Sequence, residues 1–303
     1  MIAWPRFTRP ALAAALLSFL WAAPAHADLP LPERLARLDA RLAVAPGDTD
    51  LHLERAELLL RAGREREALT ELDLLDALRP DATRSDRMRA RVLFESGLES
   101  DALALLSLAI TDHDALASRR LRATFYSRLG RLEEALLDYD VVVRTAPDLE
   151  TELARGRVLE RLGRFDEAAL SYETTLARTG ATAARTALIA AERQRGAPQR
   201  ALPHVDALIA ASRVAPRWRV LRAEVLVAMG RDDSAREELD RALAEADRMV
   251  RRRASPLSLM ERGRVHLARG ERAAARADLQ QAIRRAPRLR EAQTLLIEAG
   301  GAS

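Results

Sequence analysis

The chemistry open to this chain is bounded first by what it lacks. None of its 303 residues is Lys, Asn or Cys, so all 49 basic side chains are arginine. There is no amine for a Schiff base, no lysine for a phosphate loop, no thiolate nucleophile or metal ligand, no disulfide and no N-glycosylation sequon. A GC-rich genome, which favours arginine codons, accounts for the absences; the chemical consequences hold whatever their cause. The five histidines are scattered, and Asp112-His113-Asp114 is the only local cluster of potential ligands. Asp114 reads better as the N-cap of a helix beginning at Ala115. The carboxylate pairs Glu133-Glu134 and Asp232-Asp233 follow glycines closely, where a first helical turn would use them against the helix dipole rather than for acid–base work. No Gly-rich phosphate loop, HExxH or Gly-x-Ser-x-Gly elbow occurs. No catalytic centre, cofactor or metal is expected, and the chain is not read as an enzyme. Arg248, Arg251, Arg252 and Arg253 form one dense basic run, either a binding site for an anionic partner or a solvated surface.

Side chains of this kind act only where a scaffold holds them, and the scaffold is written in small residues. Ala, Leu, Arg and Glu predominate, with 4% aromatic residues, which is helix-forming composition. Gly63, Gly97, Gly130, Gly163, Gly196, Gly230 and Gly270 follow one another at gaps of 34, 33, 33, 33, 34 and 40 residues. That is the period of a helix-turn-helix repeat, each glycine ending a helix in the left-handed conformation. Five residues after each glycine stands an alanine: Ala68, Ala102, Ala135, Ala168, Ala201, Ala235 or Ala275. Four further on stands a larger group, among them Leu72, Tyr139, Tyr172, Val205 and Leu279. Seven before the glycine the residue is small in six copies; Ile189 is the exception and suggests a local register shift. The long last gap places about six extra residues near 245–256, as a longer second helix or a projecting loop.

With these residues in place, the chain resembles the tetratricopeptide repeat family. Arg128 to Asp140 (RLGRLEEALLDYD) and Arg161 to Glu173 (RLGRFDEAALSYE) look like the family's turn and second helix, and Pro80, Pro147 and Pro287 stand where its terminal proline is expected. The family's tryptophan early in the first helix is missing; His52, Arg119 and Glu152 stand there instead. The resemblance covers seven units over 48–287. It implies an all-α fold, a right-handed α-solenoid of stacked helix-turn-helix hairpins whose concave groove is lined by the first helix of each unit. The groove positions, ten and six residues before the glycine, hold Arg87 and Arg91, Arg120 and Thr124, Leu153 and Arg157, with Arg264 in the last unit. A basic groove would take an acidic peptide segment, a chain terminus or an anionic polymer, since arginine forks on carboxylate and phosphate. The lysine-and-asparagine clamp by which some members grip a terminal carboxylate cannot be formed here.

The ends complete the plan. Arg6 and Arg9, the short apolar stretch Ala11 to Ala23 and the small-x-small Ala25-His26-Ala27 read as a cleavable signal peptide over 1–27. A thirteen-residue helix rises about 20 Å, short of the roughly 30 Å hydrocarbon core. The mature chain is expected to be exported, in a bacterium to the periplasm. Cleavage lowers the net charge from +4 to about +2, too little to call for a nucleic-acid partner. A helix at Pro32 to Ala45 within 28–47 is expected to cap the first repeat, and one within 288–303, from Leu289 to Ala299, to cap the last. Two functions remain open: an envelope interaction scaffold for a protein or acidic peptide, and a binding module for an anionic polysaccharide or peptidoglycan. Few aromatics remain for stacking on sugars, which favours the protein partner.

Overall fold

The computed structural model describes residues 29–78, 83–113, 116–212 and 216–300. The targeting segment, Pro80 and the Asp114–Ala115 junction lie outside them. Among the described residues there are sixteen α-helices and no strand. The chain falls into two compact units, up to Ser118 and from Arg119 onward. The first holds α1 (Leu31–Val44), the hairpin of α2 (Thr49–Arg61) with α3 (Glu65–Leu78), and that of α4 (Thr83–Glu95) with α5 (Glu99–His113). The second unit begins within α6 (Leu116–Arg128), which pairs with α7 (Leu132–Thr145). There follow α8 (Leu149–Arg161) with α9 (Phe165–Thr179), α10 (Thr182–Gln194) with α11 (Pro198–Ala211), α12 (Pro216–Ala228) with α13 (Asp232–Arg252), and α14 (Pro256–Ala268) with α15 (Arg272–Arg285). The short α16 (Arg290–Glu298) closes the stack. Each unit is an all-α stack of antiparallel hairpins, the local form of an α-solenoid.

The glycine sets the phase of every hairpin. At Gly130, φ is +78°, and the chain turns through a Schellman pair: the Arg131 N–H donates to the Tyr126 carbonyl at 2.9 Å and the Gly130 N–H to Ser127 at 3.2 Å. A side chain at that φ would be strained, so glycine is needed. Each first helix starts fourteen residues before its glycine and each second helix two after it. The spacing holds in α10, so the expected register shift at Ile189 is absent. Ile189 is fully buried in register, and the partner position carries Val205, smaller than the Leu or Tyr elsewhere. Bulk has moved from the second helix to the first. The last gap resolves as helix: α13 runs to 21 residues, its added turns packed through Ala246 and Val250.

Between paired helices the alanines let backbones approach and the large residues fill the space. Ala68, Ala102, Ala135, Ala168, Ala201 and Ala275 have no exposed surface, nor have Leu72, Leu106, Tyr172, Val205 and Leu279. Beside this apolar seam runs a polar one. Eight residues before the glycine an arginine occurs in six of the seven copies, and in four of those it meets a buried acid eight after it: Arg55–Glu71, Arg122–Asp138, Arg222–Glu238 and Arg262–Asp278. Arg122 and Arg262 fork on their carboxylates at 2.7–2.8 Å. The same arginines reach back to the preceding second helix: Arg89 to Asp73 at 2.9 Å, Arg155 to Asp140 at 2.5 Å, Arg222 to Asp206 at 2.8 Å and Arg262 to Asp247 at 3.2 Å. Such paired charges offset their desolvation only because every oxygen is bonded. The α10–α11 hairpin dispenses with the pair and places Leu188 and His204 there.

In the first hairpin, His52 fills the position of the missing tryptophan. Its Nδ1 meets Glu71, which also holds Arg55, and its Nε2 donates to the Pro46 carbonyl at 2.8 Å. Both ring nitrogens must carry protons to donate twice. Burial lowers the His52 pKa, but the Pro46 carbonyl and Glu71 outweigh it and raise the value above 6.5. A raised folded value means that the charged His52 contributes fully below pH 6.5 and that the contribution is lost as pH rises through the folded pKa. The first unit is therefore expected to lose thermal stability on going from about pH 6 to about pH 9. The slope is expected to flatten in His52→Gln, as read by circular dichroism melts across that range.

Candidate functional site

The positions assigned to the groove all lie on first helices of hairpins, Arg87 and Arg91 in the first unit and the others in the second. The structure engages most of their charges. Arg91 lies 3.9 Å from Glu57, the residue at the same offset in the preceding hairpin. Arg120 lies 3.5 Å from Asp148, whose other carboxylate oxygen caps α8 through the Thr151 N–H at 2.9 Å. Thr124 donates to the Arg120 carbonyl or meets the Tyr139 hydroxyl at 3.1 Å, so its hydroxyl is used within the hairpin. Arg87 and Leu153 are half-buried. Of the arginines at these positions, Arg157 is exposed with no hydrogen bond or ion pair to a described residue. Arg264 is 19% exposed and donates to Glu291 at 2.6 Å. Arg91, Arg120 and Arg264 tie neighbouring elements together, a use invisible without knowing which carboxylates the stacking brings opposite.

A concave feature lies at the end of the second unit, where α12, α14 and α16 stand side by side. A cleft of about 450 Å³ opens there. Val220, Leu221, Leu267 and Leu295 give it an apolar floor, while Arg217, Glu224, Arg264, Glu291 and Glu298 line its margin. The guanidinium of Arg217 lies 4.3 Å from the centre of the Trp218 ring, whose Nε1 donates to Ser212 at 3.1 Å. Against the expected basic groove, carboxylates outnumber guanidiniums at this margin. Beside Arg264 lies Glu261, 9% exposed, its Oε2 3.8 Å from the Arg264 Nε. Neither atom has a hydrogen-bond partner among the described residues, an arrangement costly in a closed core and useful in a binding cleft. Burial pushes the Glu261 carboxyl up, against the pull of Arg264 and Arg217.

Of these residues only Arg264 was named from the sequence. Val220 and Glu224 stand at the same two offsets, ten and six before Gly230, but neither is basic; Trp218 and Leu267 lie off them, and Glu291, Leu295 and Glu298 belong to α16, read from sequence as a cap. Gly300, in the left-handed region at φ +74°, was the available signal: it ends α16 as the turn glycines end the first helices of the hairpins. Members of both carboxylate pairs are ion-paired. Glu134 pairs with Arg131 at 2.9 Å; its own backbone N–H and Arg131 hold it below the usual carboxylate range. Asp233 pairs with Arg236 at 2.9 Å. No group of three or more His, Asp or Glu is placed to hold a metal among the described residues.

The hairpin phase, the stacked first helices and a cleft along their face define a helical-repeat interaction protein. The tetratricopeptide repeat family matches residues 153–216 and 186–250, and the same hairpin phase runs through the other described hairpins. Among solved structures, a tetratricopeptide repeat protein from Parabacteroides merdae is 19% identical, with a TM-score of 0.50 over 84% of this chain and 99% of that one. A complex of Naa15/Naa10 bound to HypK-THB (16% identity, TM-score 0.49) matches 84% of this chain and 39% of that one. The human IFIT1 dimer with PPP-AAAA (16%, 0.47) matches 84% and 68%. No curated protein matches the chain. Tetratricopeptide repeat proteins are in general non-catalytic scaffolds with protein partners, and no described helix is long and apolar enough to cross a membrane.

Proposed function

We propose that this chain is a non-catalytic scaffold of the cell envelope that holds a segment of a protein partner in the cleft between α12, α14 and α16. The observation that carries the reading is the combination of an apolar floor with a charged margin that includes Arg264; beneath it the buried Glu261 Oε2 and Arg264 Nε have no hydrogen-bond partner among the described residues. A peptide fills such a space with an apolar side chain and bonds the margin with its polar groups. The excess of Glu224, Glu291 and Glu298 over the arginines favours a basic or neutral segment over the acidic one expected from the sequence. It also weighs against an anionic polymer in this cleft. Export rests on Arg6, Arg9, Ala11 to Ala23 and Ala25-His26-Ala27; N-terminal sequencing of the mature protein is expected to begin at Asp28.

Capture from envelope extract tests the binding face. Trp218→Ala with Leu267→Glu is expected to abolish partner capture; both side chains are partly buried against neighbouring core residues, so a stability loss of about 2–3 kcal/mol is also expected and capture is compared well below the variant's melting transition. Replacing Arg87, Arg91, Arg120 and Arg157 with Ala is expected to leave the partner bound. The reverse pattern would move the site to the middle first helices.

A further inference from the structure

The basic run near the end of α13 is held rigidly by the fold. Behind it, Ala242 and Ala246 are fully buried with Val220 and Val265, and Val250 packs on the core of Leu259, Leu279 and Leu296. Arg248, Arg251 and Arg252, at helical spacings of three and four, share the outer face and are all exposed, as is Arg253. The Arg285 guanidinium donates to the Ala254 carbonyl, which fastens the end of α15, with Arg284, beside this run. No Asp or Glu occurs over 248–260 or 279–290. Elsewhere in the unit arginines are largely matched to carboxylates, as in the polar seam. The side chains of Arg248, Arg251, Arg252, Arg253 and Arg284 make no hydrogen bond or ion pair with a described residue. The C-terminal ends of α13 and α15 account for roughly half a charge each, so most of this positive charge has no internal purpose.

Beside the run, in the first turn of α14, Leu257 is 59% exposed. No aromatic residue occurs over 248–257 or 279–290, so bases would have nothing to stack on. Unpaired guanidiniums next to an exposed leucine match phosphate headgroups over an acyl boundary. We propose that this edge, formed by the ends of α13 and α15 with Leu257, docks the protein on an anionic lipid bilayer. It is separate from the cleft and does not depend on its occupant.

Co-sedimentation with vesicles tests the docking. The chain from Asp28 is suitable, because all the buried hydrophobic side chains described lie between Leu35 and Ala299; it also removes Ala11 to Ala23, which could insert by itself. It is expected to bind vesicles of phosphatidylcholine with about one third phosphatidylglycerol, to ignore phosphatidylcholine alone, and to release as salt shortens the screening length. Replacing Arg248, Arg251 and Arg252 with Gln is expected to weaken partitioning about a hundredfold, and Leu257→Ser about tenfold. Changing Arg66, Arg144 and Arg200 to Gln removes the same charge from other exposed sites and is expected to have less than about a twofold effect. Equal losses from both triple variants, or equal binding to both vesicles, would overturn the proposal. So would binding to duplex DNA or polyglutamate without binding to vesicles, which would assign the arginines to a nucleic acid or an acidic protein.

Discussion

Replacing Glu238 with Ala is expected to destabilise the second unit by about 3 kcal/mol, seen as a fall of about 6–12 °C in its melting temperature. Glu238 is 2% exposed and receives three guanidiniums: Arg241 at 2.6 Å, Arg222 at 3.0 Å and Arg219 at 3.2 Å. Removing the carboxylate leaves those charges facing one another at the seam between α12 and α13. The loss stays at the lower end for a broken buried network because Arg222 keeps Asp206 and Arg219 keeps Glu245, and both retain some water. Glu238→Gln, which keeps the shape and removes the charge, is expected to cost about half as much. Joining Glu238→Leu to Arg222→Leu is expected to recover most of the loss, since apolar replacement of both partners removes the desolvation cost as well. The α10–α11 hairpin is the chain's own instance of leaving the pair out, with Leu188 in the arginine's place. If Glu238→Ala melts with the parent, the seam contributes nothing to stability.

Gly156→Val is expected to cost about 3 kcal/mol or more, by a steric route. A Cβ at Gly156 would stand 2.2 Å from Cε1 and 2.4 Å from Cζ of the Tyr172 ring. Tyr172 has no exposed surface and packs among Ala168, Leu159 and Leu188, so it cannot swing aside. For Gly156→Ala the gain in helix propensity, about 1 kcal/mol, offsets part of the clash, leaving a net loss of about 2 kcal/mol. Adding Tyr172→Leu to Gly156→Ala is expected to restore most of the stability. That pairing already occurs as Ala56 with Leu72 and Ala90 with Leu106. Thermal melts of the two single variants and the pair measure the coupling; additive losses would mean that the two positions do not share one space.

Both expectations concern positions whose importance was only partly legible in sequence. Gly156 was visible as a small residue in phase with Ala56 and Ala123; that it must be glycine followed from Tyr172, and only the packing distance shows it. The arginine eight before the glycine recurs in six copies and the acid eight after it in four, less regularly than the alanines, and periodicity alone does not say that they meet. The groove suffered the same limit: offsets from Gly130 and Gly163 placed Arg120 and Arg157 on first helices, but not Asp148 against Arg120. The cleft was less legible still, because Trp218, Leu267 and Leu295 lie on three helices far apart in the chain.

By itself the sequence determined the repeat. A glycine at left-handed φ, an alanine five residues on and a large group four beyond are local requirements of one hairpin, and hairpins that cannot bury their own faces must stack. It also determined what chemistry is closed to the chain, because a residue type that is absent cannot act. The tertiary structure decided where charge is spent and where it is left over. Whether Arg264 is free, Glu261 unbonded or Arg251 unpaired depends on which carboxylates neighbouring helices bring within about 4 Å, the range at which ion pairs form. That distance is set by stacking across helices, not by spacing along the chain.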